Sequence, residues 1–247
     1  MSRNPLLRPT LVWLLGALAG LLPLAHAEAV TPSEQLQIHA NRATSSVLQI
    51  LGEGFQTVHL RRLEGDLVAL ESSVKAIPDA PAQLLEAHAG LVTQLRAGPT
   101  FGPNEDDIPW RYPEDLSRAL RVFLDAARKL PGAGGDEMAA KVEYLGVQYL
   151  ARSYMGTFEI AREQPDTYLG QDERLLLPDI DNTLAKIDTH ENPQAARIKT
   201  RWNYLRSALA DMNSKSNTLM SVSGRPFAPT TVDRHTRALT EQWMALH

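Results

Sequence analysis

Apolar positions recur at helical spacing along almost the whole chain. Thr31, Pro32 and Ser33 supply a cap and a first-turn proline. The stripe then runs Leu36, Ala40, Ala43, Val47, Ile50 and Leu51, an i, i+3, i+4 pattern that turns one face of a helix toward a core. Gly52 and Gly54 interrupt it, and Phe55, Val58, Leu63, Leu67, Leu70 and Val74 resume it less regularly. Asp79 stands where an N-cap belongs for a third stripe through Leu84, Leu85, His88, Leu91, Val92 and Leu95. Residues 96–115 hold glycines, prolines and three consecutive acids and suit neither helix nor strand. Pro113 opens the next helix, with Glu114 and Asp115 at the positive end of its dipole and a stripe of Leu116, Leu120, Phe123, Leu124 and Ala127.

The second half continues the pattern. A long helix is predicted over 136–163, capped by Asp136. Val147, Leu150, Ala151, Tyr154, Phe158 and Ala161 share one face, and Val142, Leu145 and Tyr149 form a second apolar edge, which makes this helix central. Gly146 and Gly156 inside it imply close helix approach or a small kink. Pro165, Gly170 and Asp172 then turn the chain into a helix over 172–188, interrupted by Pro178. Asn192 and Pro193 start another, carrying Ile198, Trp202, Leu205, Leu209 and Met212, and a last helix spans 231–246. Only 219–222 reads ambiguously as a strand. The pattern predicts an all-α antiparallel bundle of about six to seven helices, with little or no strand.

Composition adds limits to this picture. The 247 residues contain no cysteine, which excludes disulfides, thiolate metal sites and cysteine catalysis. Arg3 and Arg8 precede an apolar run over 11–24 and the sequence Ala25-His26-Ala27. These features together predict a secretory signal peptide over 1–27, cleaved after Ala27, and hence a periplasmic or secreted protein. Residues 28–247 are expected to form a single all-helical domain, with 96–115 as the alternative point of subdivision. The formal net charge is −4 and no run of five like charges occurs, so neither nucleic acid nor an anionic membrane is an expected partner. No membrane span is expected in the mature chain, and the sequence does not set the oligomeric state.

Fragments of catalytic motifs occur without their partners. Ser72-Ser73-Val74-Lys75 matches S-x-x-K, but no S-D-N or K-T-G follows. Glu71-Ser72 lacks the glycine-rich continuation of a transglycosylase signature. No two histidines, and no acid and histidine, fall at metal-binding spacing, and Asp179 and Asp181 project to different sides of a helix. No catalytic residue, metal ligand or cofactor is assigned.

The richest cluster of chemistry lies at the end of the predicted central helix. Arg152, Arg162 and Arg174 are candidates to converge on an anion, with Glu159 and Tyr154 beside them. The simpler alternative is a capped corner between two helices. Trp110 and Tyr112, in the irregular loop, are candidates for partner contact because such aromatics dominate binding hot spots. The expected function is an exported helical-bundle protein that binds an envelope protein or small ligand. The alternatives are an envelope hydrolase or lyase with acids and arginines assembled across helices, and a passive structural or chaperone-like envelope protein. The helix pattern of residues 201–209, Arg-Trp-Asn-Tyr-Leu-Arg-Ser-Ala-Leu, resembles the helical sensing regions of bacterial chemoreceptors and sensor kinases, without carrying over any binding residue.

Overall fold

The computed structural model describes residues 30–102, 104–156, 158, 167–188, 192–212 and 228–246. Among the described residues eight α-helices follow one another: α1 (Pro32–Glu53), α2 (Thr57–Lys75), α3 (Ala82–Ala97), α4 (Tyr112–Arg128), α5 (Met138–Met155), α6 (Glu173–Ala185), α7 (Pro193–Ala210) and α8 (Pro229–Leu246). No strand occurs among the described residues, and the helices pack as a bundle. Their number exceeds the expected six to seven because Gly54, at φ 94°, ends α1 and lets α2 start afresh. Two short 3₁₀ turns, over 98–100 and 105–107, are the regular parts of the loop between α3 and α4. The ambiguous strand at 219–222 lies outside the described residues.

Local chemistry sets three of the helix starts. The Thr31 hydroxyl accepts from Glu34 N, Asp172 accepts from Arg174 N, and Asn192 accepts from Gln194 N and Ala195 N. Two expected caps are corrected. Asp79 adopts φ 48° within the preceding turn, and Pro81 occupies the N-cap of α3. Asp136 does not cap α5, because Glu137 takes that place in a left-handed conformation, at φ 42°. The missing side-chain cap comes from α1. Glu34 Oε1 accepts from Ala139 N at 3.0 Å and Ala140 N at 3.4 Å, satisfying two of the orphan donors of a helix start. The end of α5 also moves. Gly156, at φ 71°, terminates it after Met155 rather than sitting in its interior.

Two helices form the centre. α5 packs against α1, α6, α7 and α8, as its two apolar edges predict. α1 packs against α2, α4 and α5, and it is buried on its polar flanks as well as its apolar stripe. Several of its buried polar groups find donors or acceptors, Ser33 donating to Ala127 O, Asn41 Nδ2 to Gln37 O, and Thr44 to Ala40 O, while Asn41 Oδ1 has no hydrogen-bond partner among the described residues. Arg42 donates to Glu143 on α5 at 2.7 Å, and Arg237 on α8 pairs with Asp66 on α2 at 2.7 Å. Gly146 marks a close approach, since a Cβ there would meet Thr236 Cγ2 on α8 at 3.0 Å.

Candidate functional site

The corner after α5 is only partly within view. Glu159 and Arg162 lie outside the described residues. Arg174 is exposed and binds its neighbour Asp172, donating from Nε at 3.0 Å. Asp172 is itself buried. Burial opposes its ionisation, but the Arg174 side chain and backbone N–H, with the charges of Arg174 and Arg152, outweigh this and hold its carboxyl below the usual range. The two described arginines thus act on a carboxylate supplied by the chain, which also caps α6. Tyr154 is engaged as well. Its ring lies over Gly52, leaving no room for a Cβ there, and its hydroxyl donates to Glu53. That contact ties the end of α5 to the end of α1.

The two loop aromatics separate. Trp110 is 84% exposed, with the Arg111 guanidinium 5.5 Å from its ring centroid. Tyr112 is buried, packs edge-on against Phe101 and donates its hydroxyl to Gln94 O at 2.9 Å. Its ring closes the gap between α3 and α4. The motif fragments dissolve into helix surface: Ser72 donates to Val68 O, and Lys75 pairs with Glu71. Asp179 takes Lys141, whereas Asp181 accepts from Trp202 Nε1 at 2.7 Å and pairs with Arg206. No group of three or more metal-capable side chains occurs among the described residues.

A different feature stands out between α7 and α8. Ala196, Arg197, Thr200, Arg201, Tyr204, His235 and Gln242 line an open groove of about 440 Å³. Positions 197, 201 and 204 follow i, i+4, i+7 and therefore share one face of α7. Ala196 and Thr200 are small and leave room beside them. No carboxylate lines the groove among the described residues. Arg197 and Arg201, and Arg234 beside His235 in the chain, form no ion pair among the described residues. Arg42, Arg62, Arg128, Arg206 and Arg237 are by contrast all committed to acids.

The inner wall carries rings and open polar atoms. Tyr204 and His235 pack with centroids 4.7 Å apart and planes tilted by 47°, while Tyr204 stays 47% exposed. Arg201 Nη1 lies 3.4 Å from His235 Nδ1. Arginine is always a donor, so Nδ1 accepts and the ring proton sits on Nε2. Burial, then the charges of Arg201 and Arg234, lower the pKa of His235, so the ring is neutral at pH 7. Arg201 Nε and Gln242 Oε1 are buried without a hydrogen-bond partner among the described residues. Guanidinium groups unopposed by acids, next to an accessible ring, suit a ligand that has both phosphate and a flat heterocycle.

The sequence held a signal for this groove. Residues 193–210 carry Arg197, Lys199, Arg201 and Arg206 and no acid, but a search for unbroken charge runs passes over cations spaced by a helical turn. His235 and Gln242 arrive from α8, and nothing local in the sequence announces that meeting.

No protein-family model matches the chain, and no solved structure matches it. Among curated proteins it is similar to Nucleolar protein 58 of Scheffersomyces stipitis, with 28% identity over 201 residues, covering 81% of this chain and 34% of that protein. The chain thus spans about a third of that relative's length. A relative named for the nucleolus overturns the expectation of export. The signal peptide, the periplasmic or secreted location and the envelope-binding function are withdrawn, and so are the envelope hydrolase, lyase and structural alternatives. All of them rested on the N-terminal pattern. An apolar run behind two arginines needs few residue types and carries little information, whereas the likeness extends over 201 residues. Residues 1–29 lie outside the described residues. No helix among the described residues is long and apolar enough to cross a membrane.

Proposed function

We propose that this chain is a helical RNA-binding module whose contact surface is the groove between α7 and α8. The observation that carries the proposal is the pair Arg197 and Arg201, which form no ion pair among the described residues and line a groove with no carboxylate among its described lining residues. Guanidinium groups bind phosphate in a planar, bidentate manner, and unpaired ones retain the donors to do so. The nucleolar name of the relative makes RNA the phosphate-bearing polymer of choice. A net charge of −4 does not oppose this, because recognition depends on the local field and the remaining arginines are largely neutralised by their own acids. The expectation against nucleic acid looked for consecutive charges, whereas Arg197 and Arg201 are spaced by one turn along α7.

The test is fluorescence anisotropy of a labelled unstructured RNA of about ten nucleotides, a length within the usual site size for such grooves. The wild-type protein is expected to bind, and Arg197→Glu to weaken binding by roughly tenfold or more, since charge reversal removes one phosphate contact and adds repulsion. Arg197 is exposed, so the variant keeps its fold. No binding by the wild type, or unchanged binding by Arg197→Glu, rejects the proposal.

A further inference from the structure

We infer that the inner wall of the α7/α8 groove seats an unpaired nucleobase, so that RNA is taken up as a single strand. This inference rests on the RNA-binding reading and adds what the groove selects. Phosphate attraction alone does not select a single strand, because a duplex carries the same phosphates at higher linear density. Three features of the inner wall do distinguish them.

The first is the ring pair. Tyr204 packs against His235 with ring centroids 4.7 Å apart and is 47% exposed, so part of a fixed ring is accessible from the groove. Unpaired bases stack on such rings, whereas the bases of a duplex are already stacked on each other. The second is a pair of buried polar atoms without hydrogen-bond partners among the described residues, the donor Arg201 Nε and the acceptor Gln242 Oε1. Buried polar groups are almost always hydrogen-bonded, and two at a groove wall can take an acceptor and a donor from a ligand. A base offers donors and acceptors on its Watson–Crick and Hoogsteen edges, and an unpaired base has the former free. The third is size. A groove of about 440 Å³ falls within the range of small-ligand pockets, the scale of one nucleotide unit.

The arrangement also divides the labour along α7. Arg197 is exposed at the outer end, where a phosphate arrives, and Arg201 and Tyr204 lie one and two turns further on. A strand laid along this face places its backbone on the guanidinium groups and turns one base inward onto the Tyr204 ring.

The experiment compares an unstructured RNA of about ten nucleotides with the same sequence annealed to its complement, by anisotropy at fixed salt. The wild type is expected to favour the single strand by roughly tenfold or more. Tyr204→Ala should weaken single-strand binding by roughly tenfold, the loss typical of one base–aromatic stack, and leave the duplex affinity unchanged. Tyr204→Phe should retain wild-type affinity, since stacking needs the ring and not the hydroxyl. Circular dichroism of the Tyr204 variants controls for folding. Equal affinity for strand and duplex, or an unaffected Tyr204→Ala, overturns the base seat while Arg197→Glu still reports on the RNA reading. A wild-type protein that binds neither RNA removes both.

Discussion

Arg42 donates from Nε to Glu143 at 2.7 Å, and the Thr240 hydroxyl donates to the same carboxylate oxygen at 2.6 Å. The three groups come from α1, α5 and α8, and all are buried. Removing one member of a buried pair leaves the other charge without compensation, a loss of about 3–5 kcal/mol. Arg42→Ala should therefore lower the unfolding free energy by about that amount in chemical denaturation, and Arg42→Ala with Glu143→Ala should recover part of it. Intact stability in Arg42→Ala would show that the pair is not buried in solution. Nothing in the sequence foretold this pairing, because its members are 101 positions apart and Arg42 reads locally as an ordinary polar flank. Arg152 and Arg174 teach the converse. Their types suggested an anion site, yet a carboxylate two positions before Arg174 draws on both.

Helix starts were legible wherever the capping group is local. Thr31, Asp172 and Asn192 all cap as their positions imply, and Pro193 opens α7. They were illegible where the cap comes from elsewhere in the chain, as Glu34 does for α5. Its pKa is raised, chiefly by burial against the opposing effect of the Ala139 and Ala140 N–H groups. Glu34→Leu removes the acceptor for both N–H groups and should cost about 1–3 kcal/mol, read as a fall in thermal midpoint. The α1–α5 contact makes a sharper prediction. In Gly52→Ala the new methyl would run into the Tyr154 ring, so the ring must shift. A cost of about 1–3 kcal/mol is expected for such overpacking. In a Tyr154→Ala background the same substitution should be neutral or stabilising, because alanine is the better helix former. An equal cost in both backgrounds would rule out the contact.

The whole molecule should be acid-sensitive in a defined window. His39, His88 and His235 all have pKa values lowered from 6.5, in each case chiefly by burial. Around His39 stand Arg42, Asp66 and Arg237, and Asp66 stays ionised through the window because Arg237 and Ser46 hold its own pKa low against the effect of burial. The unfolded chain therefore takes up protons first as pH falls below 6.5, and the stability present above that value is lost progressively. The thermal midpoint should drop between about pH 7 and pH 5.5, and His39→Phe should flatten that slope. A flat profile for the wild type would contradict the burial of these rings. At this scale the helical class was readable from periodicity alone, since every stripe supplied a face to the core. The groove was not, because it depends on which helix lies beside α7.

The central claim concerns that groove, and ultraviolet crosslinking of the full chain to a short unstructured RNA, followed by peptide mass spectrometry, tests it most directly. Tyr204 and His235 face the proposed strand, with Arg197 and Arg201 on the same wall. The account predicts crosslinked nucleotides on peptides covering 197–206 and 234–242, reduced when Tyr204 is replaced by alanine. Crosslinks confined to other helices, or none under conditions where the RNA is bound, would contradict it.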